Sequence, residues 1–153
     1  MNLRGYDPGP PIAAYEVLRR FLLSFGVASS SIPDDAESAA ALYRSLLAER
    51  RVLIVLDNAA SAAQVRPLLP GSFGCLVIVT SREHLSGLVV RDGARRLSLG
   101  TFPENEAISL LRGLIDEYRN GDTLEQLAEL ARLCARLPLA LRIAAERAVS
   151  SPS

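Results

Sequence analysis

Arg51-Val52-Leu53-Ile54-Val55-Leu56-Asp57-Asn58 is the stretch of sequence that decides the fold. Its five consecutive aliphatic residues, without polar alternation, are typical of a strand covered on both faces, as in a parallel α/β sheet. The segment Cys75-Leu76-Val77-Ile78-Val79 has the same character and ends in Thr80-Ser81-Arg82. A weaker strand is predicted at 96–99. Because helical patterns precede and separate the two strong strands, this part of the chain is predicted to form an α/β layer.

The pattern changes after residue 100. Capping boxes at Thr101 with Glu104 and at Thr123 with Gln126 predict the starts of two helices, the first running to about 119. Pro138 suits the first turn of a last helix. We therefore predict a truncated α/β subdomain over residues 1–100, a helical subdomain over 101–149 and a disordered tail over 150–153.

Lysine is missing from this sequence, since 17 arginines account for the whole Lys+Arg total. A phosphate-binding loop of the form G-x-x-x-x-G-K-[ST] needs a lysine for the terminal phosphates, so none can lie in this chain. The formal net charge of +0 gives no attraction to a nucleic-acid backbone, so no direct nucleic-acid partner is expected. The apolar runs are too short to cross a membrane and no signal peptide is recognisable, which predicts a cytoplasmic protein.

Polar residues follow both strong strands at the point where each strand ends. Asp57 follows the first, and Thr80 and Arg82 follow the second. Ligands of open parallel sheets bind beyond the carboxyl ends of the strands, where an aspartate can hold Mg²⁺ through water and an arginine can neutralise phosphate charge. The alternative is structural: Asp57 and Asn58 turn the chain, and Arg82 is an ordinary solvated arginine. The residues alone leave both open.

Other reactive side chains are few. Cys75 and Cys134 are far apart in apolar stretches, so we interpret them as small buried hydrophobic residues. His84 is expected on the surface after a strand. Neither a Ser/His/Asp nor a Cys/His arrangement is recognisable, and no catalytic residue is therefore predicted.

Together these segments resemble the NB-ARC family of signal-transduction ATPases, a STAND-class group of P-loop NTPases, in the form found in bacterial antibiotic-regulatory (SARP-like) transcription regulators. Segment 51–58 is similar to the family's Walker B segment, and 79–82 is similar to its sensor strand, whose arginine approaches the terminal phosphate. Residues 99–111 resemble the start of the family's helical subdomain. Residues 137–141 resemble its G-L-P-L-A motif, whose proline packs against the nucleotide base. Residues 1–5 resemble the end of its second strand.

The resemblance implies a partial P-loop NTPase-type parallel three-layer sheet followed by a small helical subdomain. In the complete domain it implies ADP or ATP bound by Arg82, Thr80 and Pro138, with Mg²⁺ at Asp57. The phosphate loop would lie upstream of residue 1, so we expect this chain to retain no nucleotide and to show no turnover. Asn58 stands where active ATPases carry a water-activating carboxylate, which favours a slow switch.

The resulting prediction is a fragment of a nucleotide-dependent signalling switch in a transcription regulator. Its partners would be the rest of that regulator, namely an upstream phosphate-loop segment and downstream repeat domains. The alternative is a stand-alone degenerate protein–protein interaction module that no longer binds nucleotide. In the family fold the loop-bearing strand lies inside the sheet, beside the strand that ends at Arg82. Without it, we expect the 96–99 strand to close the sheet edge, or a second copy of the chain to cover it.

Overall fold

The computed structural model describes residues 1–115 and 122–150. The predicted end of the first helix of the second subdomain, and residues 151–153 of the predicted tail, lie outside the described residues. The chain divides into two compact units, Met1–Arg96 and Leu97–Ser153.

The first unit has mixed α/β structure and the second is helical. In chain order, the first contains α1 (Ala14–Ser24), α2 (Ala36–Leu47), β1 (Leu53–Leu56), α3 (Ala62–Val65), β2 (Leu76–Val79) and α4 (Ser86–Asp92). The second contains α5 (Glu104–Ile115), α6 (Leu124–Leu133) and α7 (Pro138–Ser150). Ser150 is therefore the last residue of α7 and not the first residue of a tail.

Side chains cap the starts of α2 and α6. The Asp35 carboxylate accepts a 2.8 Å hydrogen bond from Ser38 N, and this bond also lowers the pKa of Asp35. At the start of α6, Thr123 and Gln126 form the predicted capping box, in which each side chain accepts from the backbone N–H of the other. Side-chain oxygens thus satisfy N–H groups that have no partner within the helix.

The sheet contains β1 and β2, which pair in parallel with Leu53 opposite Leu76 and Leu56 opposite Val79. On its other side β1 is joined to the start of the chain, because Leu3 N donates to Asp57 O and Asp57 N donates to Met1 O. Both edges of β1 therefore have a hydrogen-bonded backbone neighbour. Among residues 1–115 and 122–150, β2 has β1 as its one strand neighbour.

Only one face of this sheet is covered in the described chain. Ile54 and Leu56 are buried in the core of the first unit, and Val77 and Val79 pack against it. The opposite face carries four aliphatic side chains with 42–61% of their surface exposed: Leu53, Val55, Leu76 and Ile78. The prediction of strands covered on both faces, and hence of three layers, is wrong for these residues. The apolar character of both faces is present, but the covering layer on one of them is not part of the described structure.

The predicted strand at 96–99 is also wrong. These residues form no regular secondary structure, and Leu97 and Leu99 are 84% and 90% exposed. A strand is stabilised by hydrogen bonds to a neighbour, and this segment makes none to β2. The expected strand that would close the sheet edge is therefore not formed by residues 96–99.

A continuous apolar core joins α1 and α2 to the covered face of the sheet. Tyr43 lies at its centre, 1% exposed, with its ring stacked on Phe21 at a centroid distance of 5.7 Å. Burial raises the pKa of the Tyr43 hydroxyl well above its ordinary value.

The second unit packs its three helices around small and aliphatic side chains, which include Leu111, Leu127 and Leu141. Between α6 and α7 the chain turns through two consecutive left-handed residues, Ala135 at φ 49° and Arg136 at φ 54°. The turn directs the carbonyl of Arg136 to Phe102 N at 2.9 Å, which anchors the approach to α5.

Arg136→Gly should stabilise the helical unit by about 0.5–1 kcal/mol, because glycine adopts a positive φ without the steric cost that Cβ imposes. Ala140→Gly, inside α7, is the matched control and should destabilise the unit by about 1 kcal/mol. Urea unfolding followed by circular dichroism measures both. Equal destabilisation by the two changes would contradict the left-handed turn.

Candidate functional site

The carboxyl ends of β1 and β2 bring two of the predicted site residues together. The Thr80 hydroxyl donates to Asp57 Oδ1 at 2.5 Å and accepts from Asn58 N at 2.9 Å. This pairing follows from the parallel register, since Leu56 lies opposite Val79 and the next residue of each strand is therefore adjacent. Asp57 and Thr80 are both solvent-exposed, so a ligand could reach them.

Backbone and side-chain hydrogen bonds fix the segments that follow the two strands. Ala59 N donates to Thr80 O at 2.9 Å, and the Ser81 hydroxyl donates to Ala59 O at 2.7 Å. Asn58 has a left-handed backbone with φ 59°, a conformation that asparagine tolerates better than most residues. Hydrogen bonds therefore connect the polar residues that follow β1 to those that follow β2.

Arg82 is exposed and its guanidinium lies over an aromatic ring. Its Cζ atom is 5.0 Å from the centre of the Tyr6 ring, within the range of a cation–π interaction. The described structure shows no ion pair between Arg82 and Asp57. His84, as predicted, is on the surface.

The loop at residues 5–8 supplies contacts that sequence analysis missed. Asn58 Nδ2 donates to Asp7 Oδ1 at 2.8 Å, and Gly5 N donates to Asn58 O at 2.6 Å. A Cβ atom on Gly5 would lie 2.5 Å from Ala60 N and from Asn58 O, so this approach requires glycine. The sequence signal was a Gly-Tyr-Asp-Pro run, which by itself indicates a turn.

Gln64 connects the residues that follow β1 to the start of the chain. Ser61 caps α3, since its Oγ accepts from Gln64 N at 3.2 Å, whereas the Gln64 side chain bonds elsewhere than to Ser61. Its Oε1 accepts from Ala60 N, and its Nε2 donates to Leu3 O and Ile12 O at 3.0 and 2.9 Å. One side-chain amide therefore links three backbone segments.

Pro138 is the first residue of α7 and lies in the second unit, whereas Asp57, Thr80 and Arg82 lie in the first. Proline suits this first position because it has no N–H to leave unsatisfied and its φ is already helical. Leu141 N bonds to Leu137 O in the first turn. The start of α7 therefore accounts for a proline at position 138 without a ligand.

The oxygen donors at the strand ends suit a hard cation. Carboxylate, amide carbonyl and water oxygens are the groups that Mg²⁺ prefers, and the exposed Asp57 carboxylate is of this type. Among the described residues no group of three or more His, Cys, Asp or Glu side chains could hold a metal ion. A cation at Asp57 would therefore keep most of its water shell.

Cys75 and Cys134 are half-buried free thiols, which agrees with a packing role.

In the part of the chain that the structure describes, no helix combines the length and apolarity needed to cross a bilayer.

Comparison with known proteins finds similarity to one segment of two regulatory proteins. The chain is 44% identical over 137 residues to Regulatory protein AfsR of Streptomyces coelicolor, a match that covers 90% of this chain. It is 46% identical over 131 residues to Regulatory protein AfsR of Streptomyces griseus, covering 86% of this chain. The matched segments span 14% and 13% of those two relatives. At these identities the chain is a homologue of one part of such a regulator.

No protein-family model matches the sequence, and no solved structure was found to be similar to it.

Gln64→Ala should destabilise the first unit by about 2–3 kcal/mol, because it removes the partner of Ala60 N and of two carbonyls in a partly buried position. Gln126→Ala is the matched control. Its side chain reaches one backbone N–H only, and its loss should cost about 1 kcal/mol. Urea unfolding followed by resolved NMR signals of each unit measures both changes. Equal losses of unfolding free energy in the two variants would show that Gln64 acts only as a helix-capping residue.

Proposed function

We propose that this chain is part of a nucleotide-dependent switch in a cytoplasmic transcription regulator, and that alone it is inactive. The observation that carries the proposal is the hydrogen-bonded pair of Asp57 and Thr80 at the carboxyl ends of two parallel strands. Open parallel sheets bind ligands at this position. The similarity to a segment of two regulatory proteins supports the wider role in regulation.

Each candidate residue has a distinct task in this proposal. Asp57 would hold Mg²⁺ through water, and Thr80 would keep its carboxylate in place through the 2.5 Å hydrogen bond. Arg82 would approach the terminal phosphate of ADP or ATP, and Pro138 would pack against the base. A bound Mg²⁺ would neutralise phosphate charge. Asn58 follows Asp57, and because an amide cannot take a proton from water, any turnover would be slow.

The phosphate-binding part of the site must then come from outside the described residues. The chain has no lysine for the terminal phosphates. In addition, none of the described residues pairs with the outer edge of β2 or covers the sheet face that carries Leu53 and Leu76. A strand with a following helix would pair with this edge and cover this face. We assign that role to another segment of a longer regulator, which would also carry repeat domains elsewhere.

The uncovered sheet face also favours a second candidate function. Four neighbouring aliphatic side chains on one face are an unusual surface for a protein that acts alone, and such patches often mark contacts with other proteins. In that case the chain would be a degenerate protein–protein interaction module without a nucleotide, or two copies would pair through β2. Nucleotide affinity separates these alternatives from the switch.

Titration calorimetry with Mg-ADP tests the proposal, comparing this chain alone with a longer version joined at its N-terminus to a segment that carries a G-x-x-x-x-G-K-[ST] loop. The 153-residue chain should bind too weakly to resolve, because backbone N–H groups of a phosphate loop supply most of the grip on a nucleotide. The longer version should bind measurably, and Asp57→Asn should weaken that binding in magnesium. Equal affinity of the two chains would contradict the proposal, and absence of binding by both would favour the interaction module.

A further inference from the structure

The guanidinium of Arg82 is held at one point and is otherwise free of partners among the described residues. Its Cζ atom lies 5.0 Å from the centre of the Tyr6 ring. The ion pairs of residues 1–115 and 122–150 do not include Arg82, and its neighbours Ser81 and Glu83 make their hydrogen bonds without it. A cation–π contact attracts the charge to the ring face and does not depend on the five N–H donors of an arginine. Because Arg82 is exposed, these donors can meet an anion from solvent.

The ring that contacts Arg82 is fixed by hydrogen bonds on both sides of it in the chain. Gly5 N donates to Asn58 O at 2.6 Å, and Asp7 Oδ1 accepts from Asn58 Nδ2 at 2.8 Å. Tyr6 stands between these two residues and is therefore joined through both of them to the segment that follows β1. It is also half-buried, so packing further limits the movement of its ring. Arg82 thus meets a ring whose position is set by the neighbouring backbone and not by solvent.

The hydroxyl group of Tyr6 does not explain a tyrosine at this position. Its oxygen is buried and has no hydrogen-bond partner among the described residues. A buried hydroxyl without a partner lowers stability, since it loses its hydrogen bonds to water and gains none. The contribution of Tyr6 at the strand ends is therefore the face of its ring. Tyr6→Phe keeps this face, whereas Tyr6→Leu removes it and leaves an aliphatic side chain.

A guanidinium that is already in position binds an anion at a lower entropic cost than a mobile one. An exposed arginine has several rotatable bonds, and the cost of ordering them reduces its affinity for a ligand. The contact with Tyr6 orders Arg82 before a ligand arrives. The planar N–H groups then suit phosphate oxygens, which guanidinium groups bind with two parallel hydrogen bonds. The strength of an exposed cation–π contact corresponds to about a two- to fivefold gain in affinity.

We propose that Tyr6 is a positioning residue, which holds the Arg82 guanidinium at the carboxyl ends of β1 and β2 with its N–H donors free for a nucleotide phosphate. The inference rests on the proposed function, in which Arg82 approaches the terminal phosphate of ADP or ATP. It adds to that site a residue from the start of the chain, for which the turn pattern of the sequence gave no role. It depends on no metal ion, because the contact joins two side chains of this chain.

The test uses the 153-residue chain with inorganic tripolyphosphate as the probe and with no metal ion present. The side-chain Nε–H NMR signal of Arg82 reports both the ring contact and the anion, and it detects millimolar binding that calorimetry does not resolve. The ring face should shift this signal upfield in the wild-type chain and in Tyr6→Phe, but not in Tyr6→Leu. Tyr6→Leu should bind tripolyphosphate about two- to fivefold more weakly, whereas Tyr6→Phe should bind it as the wild-type chain does.

Tyr15→Leu is the matched control, because Tyr15 is a half-buried tyrosine of α1 in the same unit, and its hydroxyl donates to Pro33 O. This change removes a ring and a hydrogen bond, so it lowers stability, but it should leave the Arg82 signal and the tripolyphosphate affinity unchanged. Arg82→Gln is the second control. It removes the charge and should abolish the shifts that tripolyphosphate causes in the backbone signal of Thr80.

The outcomes separate the inference from the proposed function. If Arg82→Gln abolishes the shifts while Tyr6→Leu binds as tightly as Tyr15→Leu, the phosphate contact of Arg82 stands and the inference is wrong. If tripolyphosphate shifts no signal that depends on Arg82, the proposed phosphate contact fails and the inference fails with it. If Tyr6→Phe loses as much affinity as Tyr6→Leu, the ring face is not the determinant and the inference is also wrong. Weaker binding in Tyr6→Leu alone, together with loss of the upfield shift, supports the inference.

Discussion

The parallel backbone pairing of β1 is the constraint on which the rest of the first unit depends. β1 lies between the start of the chain and β2, and the hydrogen bonds from Leu3 N to Asp57 O and from Thr80 N to Leu56 O fix both registers. Because parallel strands end at the same edge of a sheet, this pairing alone places Asp57 beside Thr80. The loop that carries Tyr6 and Asp7 then continues from the first of these segments directly over the strand ends.

The same pairing leaves the sheet unfinished within the described chain. Leu76 N and Thr80 N donate to β1, so the N–H groups of Val77 and Val79, which alternate with them, face the outer edge of β2. Next to this edge lies the face that exposes Leu53 and its neighbours. Each fully exposed aliphatic side chain that becomes buried contributes about 1.5–3 kcal/mol, so a covering segment would gain appreciable stability. In the proposed switch, the segment that pairs with this edge would also supply the phosphate-binding group.

Sequence patterns were sufficient for elements with strong local signals. The aliphatic runs located β1 and β2 within one residue, and the capping box of Thr123 with Gln126 located the start of α6. The box predicted at Thr101 with Glu104 did not locate the start of α5, which begins at Glu104. The helix α4 gave no such signal, because it contains Gly87 and two β-branched valines and begins after Leu85 in a left-handed conformation without a side-chain cap. The strand at 96–99 was predicted from composition, but a strand also needs a partner, and none of the described residues pairs with this segment.

The site was predictable where it depends on strand ends and not where it depends on distant loops. Asp57 and Thr80 follow from the parallel register, whereas the contacts of Asp7 with Asn58 and of Tyr6 with Arg82 join residues more than 50 positions apart. A turn sequence contains no information about which surface it will cover. Coverage of the second sheet face was predicted from the apolar sequence of the strands, and that pattern cannot tell which segment provides the cover.

Hydrogen exchange at three backbone amides of β2 and at the amide of Thr80, which follows it, tests the central claim most directly. In the 153-residue chain, the amides of Leu76 and Thr80 should be protected by their bonds to β1, while those of Val77 and Val79 should exchange rapidly at the open edge. In a longer version joined at its N-terminus to a segment that carries the phosphate loop, all four should be protected. Val77 and Val79 remaining unprotected in that longer version would contradict the account.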